Sequence, residues 1–144
     1  MSVSGYARCG TLVGMSDDLT ALGGGPTPIP TDSRAGAAQL EAIAVDPEVT
    51  GARFVTTELL AWCPVTRQPD HYHCTIDLVP LAGKSIETKT LKLYLASWRD
   101  DGIFGENLAA AIARDLAAAT DAAITVELTQ NVRGGIELSA TARA

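Results

Sequence analysis

The chain has 144 residues, 47% of them apolar and 19% charged, with a formal net charge of −6. That is the size of one ordinary domain with room for a core, and the balance excludes wholesale disorder. No apolar run approaches the ~20 residues of a membrane span, and an acidic chain lacks the basic stripe that phosphate-backbone binding requires. Membranes and nucleic acids are therefore set aside, and a small-molecule partner is expected. The opening residues, M-S-V-S-G-Y-A-R-C-G, hold neither the basic nor the apolar part of a secretory signal. Three cysteines, Cys9, Cys63 and Cys74, cannot close into a full disulfide set. Both features predict a cytoplasmic protein with free thiols.

Residues 1–36 contain G-G-G-P-T-P-I-P-T-D-S, a density of Gly, Pro, Ser and Thr that predicts a loop or arm ahead of a single domain over 37–144. R-F-V-T-T-E-L-L-A at 53–61 is rich in β-branched residues but alternates imperfectly, and reads as a strand. Residues 71–79 form a second strand ended by Pro80. The stretch 85–99 is ambiguous, because L-K-L-Y-L alternates while Leu91, Leu95 and Trp98 share a helical face. Leu108, Ile112 and Leu116 recur at helical spacing in an Ala-rich run, predicting a helix over 106–119. Ile124, Val126 and Leu128, the turn N-V-R-G-G, then Ile136, Leu138 and Ala140 predict a hairpin. The order points to an α+β fold built on an antiparallel sheet. There is no internal repeat, and no G-x-G-x-x-G follows a strand, which removes a Rossmann-type nucleotide site.

The candidate chemistry centres on C-P-V-T-R-Q-P-D, Cys63 through Asp70. Pro64 and Pro69 fix their own φ and push Cys63 and Gln68 out of the helical region, so the loop is stiff and suited to holding two reacting groups in register. A nearby positive charge favours the thiolate, and Arg67 is the local candidate. A thiolate attacking a carbon–nitrogen multiple bond leaves charge on nitrogen, which a positioned carboxylic acid can protonate. The Cys63–Asp70 pair thus suits a nitrile better than an ester. To act as the acid, Asp70 needs an apolar site that closes over the substrate. Cys9 and Cys74 read as small buried hydrophobes. H-Y-H-C at 71–74 is a weak zinc constellation with no second cluster to complete it, and no metal is assigned. Lys89 and Lys92 share a face if their segment is helical, with Glu87 just upstream.

Together these motifs resemble the QueF-type 7-cyano-7-deazaguanine reductases, whose members carry C-P-x-T-G-Q-P-D and E-S-K-S-x-K-L-Y. Here the second motif stands as E-T-K-T-L-K-L-Y, Glu87 to Tyr94. The resemblance runs over about residues 40–140. It continues through Ser97-Trp98-Arg99 (S-F-R in the family), Phe104 and Glu106 (F-H-E), Arg133-Gly134-Gly135, and upstream through Leu40 to Pro47. It implies a tunnelling fold (T-fold), an antiparallel sheet with two helices on one face, assembled as a homo-oligomeric ring with active sites at subunit interfaces. It also implies that 85–99 is helical. The activity implied is reduction of the nitrile to an aminomethyl group with two NADPH, on the way to queuosine.

By position, Cys63 would form the thioimide and Asp70 would deliver protons. Glu106 would hold the deazaguanine ring, Glu87 and Thr88 would line the substrate pocket, and Lys89, Lys92 and Arg133 would meet NADPH phosphates. The family glycine is Arg67 here, both serines are threonines, and the family histidine is Gly105. His71 or His73 is the candidate to replace that imidazole in space. Three other functions share parts of this pattern: an amidine-forming enzyme that adds ammonia to the thioimide, as in archaeosine formation; a non-reducing binder of the nitrile base; and a zinc-dependent relative of GTP cyclohydrolase.

Overall fold

The computed structural model describes residues 27–144; Cys9 and most of the arm expected over 1–36 lie outside them. The described chain runs α1 (Ser33–Ala37), β1 (Ala42–Ala44), β2 (Ala52–Trp62), β3 (Pro69–Leu78), β4 (Lys84–Ile86), α2 (Thr88–Ser97), a 3-10 turn (Trp98–Asp100), α3 (Gly105–Thr120), β5 (Ile124–Arg133) and β6 (Ile136–Arg143). The boundary expected at residue 36 falls inside α1. Gly36 lets that helix lie directly on α2, where a Cβ would collide with Ser97 Oγ.

Four strands form an antiparallel sheet in the order β2-β3-β5-β6, and β1 pairs with β4 in a small second sheet. One sheet face carries Leu59, Ala61, Tyr72, Cys74, Ile76, Leu78, Ile124, Val126 and Leu128, all buried in a single core with Leu91, Tyr94 and Leu95 of α2 and Leu108, Ile112 and Leu116 of α3. Residues one position off lie on the other face, where His71 and His73 are exposed and Thr75, Asp77 and Thr125 partly so, as the period of two requires. Tyr94 Oη donates to Asp115 Oδ2 at 2.7 Å and ties α2 to α3.

The faulty alternation at 53–61 has a physical cause. Thr56 pairs with Cys74 and Leu59 with Tyr72, so Thr57 and Glu58 of β2 oppose His73 alone in a bulge that resets which face the strand buries. The implied helix over 85–99 is corrected at its start, because Ser85 and Ile86 pair with Ile43 and Ala42. The helix begins only after Glu87, whose carboxylate accepts from the amides of Lys89 at 2.8 Å and Thr90 at 2.7 Å. This is a strong N-cap made by a residue type seldom used for one. The hairpin turns on Gly134 and Gly135, both at positive φ (62° and 79°), which a tight two-residue connection between twisted strands needs.

Candidate functional site

Hairpin register builds the centre of the site. Trp62 pairs with Pro69 and Ala61 with Asp70, so Cys63 and Asp70 stand at the two feet of the six-residue loop between β2 and β3. Cys63 N–H donates to Gln68 O and Arg67 N–H to Cys63 O, each at 2.9 Å, closing the loop on itself. Closure puts residue 67 at φ 55°, the left-handed region that glycine enters freely. Arg67 therefore keeps the backbone shape expected of a glycine, at a cost of about 1–2 kcal/mol.

Cys63 is only 7% exposed, and its thiol is pulled down from an ordinary value to about 6. The largest cause is the Thr66 side chain, followed by the Thr66 N–H, 3.5 Å from Sγ, and then by Arg133. The thiolate is thus the favoured form at neutral pH. Cys74 is the opposite case: fully buried and pushed up to about 12 by burial, it is an inert core thiol.

The cation at the thiolate is Arg133, not the expected Arg67. Because β5 runs antiparallel to β3, its last residue lies beside the start of β3. There Arg133 Nη1 reaches Asp70 Oδ1 at 2.9 Å, Gln68 Oε1 at 3.2 Å and Thr66 Oγ1 at 3.3 Å. Its N–H groups do not point along the line to Asp70, so Oδ1 is paired by charge yet holds no hydrogen bond. The Arg67 side chain is exposed instead, lining a polar cavity of about 610 Å³ with Trp62, Cys63, Pro64, Asp100 and Gly102.

A second strap brings α3 to this loop. Trp62 N–H donates to Asp101 O at 2.8 Å and accepts at its carbonyl from Ile103 N–H at 3.0 Å, so the chain running into α3 lies along the base of the nucleophile loop. Gly105 is the first residue of α3 and is buried, while Glu106 in the same turn is exposed. The anionic Glu106 suits the positive end of the helix. His71 and His73 face away across the sheet, and neither replaces an imidazole at Gly105. Their geometry also splits H-Y-H-C, with the histidines on one face and Cys74 on the other.

The α2 residues stand apart from this cluster. Thr88 and Lys92 line a mainly apolar cleft of about 430 Å³ with Phe54, Val55, Ile76 and Leu91. That cleft opens on the first half of β2, roughly 15–30 Å along the strand from Cys63. Glu87, 7% exposed, is committed to capping α2, and Lys89 is half-buried beside it. One chain thus brings together Cys63, Asp70, Arg133 and the turn holding Glu106, and gathers Thr88, Lys89 and Lys92 elsewhere. Sequence reasoning missed Thr66, which steadies the thiol through a backbone amide and a hydroxyl on a turn.

A family model described as QueF-like protein matches residues 69–144. The chain is 43% identical over 103 residues to the NADPH-dependent 7-cyano-7-deazaguanine reductase of Frankia casuarinae, covering 71% of this chain and 82% of that protein. It is 50% identical over 68 residues to the protein of that name from Nitrobacter winogradskyi, covering 47% of this chain and 42% of the relative. Against this second relative the chain spans about two-fifths of the length. The fold is similar to that of the crystal structure of the archaeosine synthase QueF-Like in the apo form, at 20% identity and a TM-score of 0.61, over 69% of this chain and 96% of the other.

Proposed function

The chain belongs to the QueF-like protein family, and from that premise we propose that it reduces the nitrile of 7-cyano-7-deazaguanine to an aminomethyl group with NADPH, through a thioimide at Cys63. The observation that carries this reading is a thiol lowered to about 6 at one foot of a closed loop, with a buried carboxyl at the other foot and one guanidinium against both. A thiolate ready at neutral pH attacks the nitrile carbon. The sulfur–carbon bond forms as one carbon–nitrogen π bond opens, and the nitrogen takes a proton from Asp70. Asp70 is ion-paired with Arg133 in the resting site, so it must first take up a proton from solvent and release the guanidinium before it can donate. The guanidinium stays beside the loop, where it steadies the thiolate between turnovers.

Glu106, exposed beside the loop, accepts hydrogen bonds from the ring N–H groups of the base. NADPH, when bound, would supply hydride, and two equivalents are needed for the four electrons between nitrile and aminomethyl group, with Cys63 leaving as its thiolate before the second. Lys92 and Thr88, on the rim of an apolar cleft, fit an anionic ligand with a flat ring. In this reading Lys89 and Lys92 meet the phosphates, with Arg133 as a third cation from the nucleophile end, and Glu87 orders the Thr88 turn by capping it. The distance between the two groups within one chain favours a homo-oligomeric T-fold ring in which each active site, at a subunit interface, takes Cys63 from one protomer and α2 from its neighbour. The setting is the cytoplasm.

Incubation with the nitrile base and NADPH tests the reaction. The expected result is loss of NADPH absorbance that requires both the nitrile and Cys63. Amidine appearing on added ammonia, with NADPH unconsumed, would replace the reductase with an amidine-forming enzyme.

A further inference from the structure

Tyr72 is 1% exposed, and its hydroxyl has no hydrogen-bond partner. Tyr94, just as deeply buried, donates to Asp115 as buried phenols ordinarily do. An unmet buried hydroxyl costs about 1–3 kcal/mol, so its retention calls for a reason. Its position supplies one. A Cβ built on Gly105 would lie 2.9 Å from Leu138 Cδ2, 3.2 Å from Tyr72 Cε1 and 3.5 Å from Tyr72 Oη. The Leu138 side chain and the tyrosine ring together fill the space that a side chain at residue 105 would take, at the turn carrying Glu106.

Resting on the reading above, we propose that Tyr72 and Gly105 act as one unit, in which the Tyr72 hydroxyl donates a hydrogen bond to an acceptor atom on the bound heterocycle and Gly105 stays small to admit the ring. Tyr72 lies on the buried face of β3 two residues beyond Asp70, and its phenol is pushed up to about 12, first by burial and then by the charge of Asp70, with Cys63 and Glu106 adding to it. The group is thus a neutral donor at ordinary pH within electrostatic reach of Asp70, Cys63 and Glu106, with Arg133 opposing their effect. The polar surroundings also explain why a β-strand core position carries a tyrosine rather than a phenylalanine. Glu106 accepts from the base while Tyr72 donates to it, so the two read complementary edges.

Intact-mass kinetics of the Cys63 adduct with the nitrile base test this. Tyr72→Phe removes only the oxygen and keeps the packing. The expected result is a melting temperature raised by a few degrees as the unmet hydroxyl is removed, an unchanged maximal adduct rate and about a tenfold rise in the nitrile concentration giving half of it, the size expected for one lost hydrogen bond. Tyr72→Ala/Leu138→Ala/Gly105→His, which clears both neighbours of residue 105 and places an imidazole there, is expected to recover half-saturation relative to Tyr72→Ala/Leu138→Ala. Wild-type concentration dependence in Tyr72→Phe would overturn the proposal and leave the nitrile reading standing. A shifted pH profile at constant half-saturation would also overturn it, since the hydroxyl would then act on Asp70 and not on the ligand. If wild type forms no adduct while iodoacetamide still alkylates Cys63, the nitrile reading fails and the donor role with it.

Discussion

At the scale of single residues, Cys63 owes its state to a turn. Thr66 aims a hydroxyl and an amide at Sγ, and Arg133 adds charge. Alkylation follows the thiolate, so its rate in wild type should rise through a midpoint near pH 6 and level off above it. Because these groups favour the anion, removing either should move the midpoint upward. Thr66→Val and Arg133→Ala are both expected to do so, read from iodoacetamide rates across pH; a midpoint unmoved by both would detach these groups from the thiol. The sequence displayed the reacting pair plainly, since Cys63 and Asp70 bound a proline-braced loop. It hid the cation, because Arg133 arrives from 70 residues away through strand order, whereas Arg67 is near only along the chain. Tyr72 was hidden for the same reason: its meaning depends on Gly105, a neighbour only once α3 is strapped to Trp62.

At the scale of elements, α2 begins where a carboxylate stops a strand. Glu87 holds two amides that would otherwise be unmet at the first turn. Glu87→Ala is expected to cost about 1–2 kcal/mol in urea or thermal unfolding, with Glu87→Gln losing less. Unchanged stability in the alanine variant would mean that the cap carries no weight. Helix α3 and the terminal hairpin were legible because their periods, three to four and two, run unbroken from Leu108 to Leu116 and from Ile124 to Leu128. The β2 bulge and the short β4 were not. A bulge erases alternation where it occurs, and three residues are too few to show a period.

At the scale of the whole molecule, the groups assigned to the reaction lie at two places on the chain, the nucleophile loop and the first turn of α2. If one protomer supplies each, then Cys63→Ala and Lys92→Ala, each inactive alone, should complement when unfolded and refolded together. Random pairing leaves about a quarter of the sites intact. NADPH turnover of the mixed assembly checks this, and activity no greater than the sum of the separate variants would place the whole site within one chain.

Covalent capture of the nitrile tests the central claim most directly. Intact-mass spectrometry of the full chain mixed with 7-cyano-7-deazaguanine, without NADPH, should show wild type heavier by the mass of the base and Cys63→Ala unchanged. An unmodified wild type, or an adduct that persists in Cys63→Ala, would contradict it.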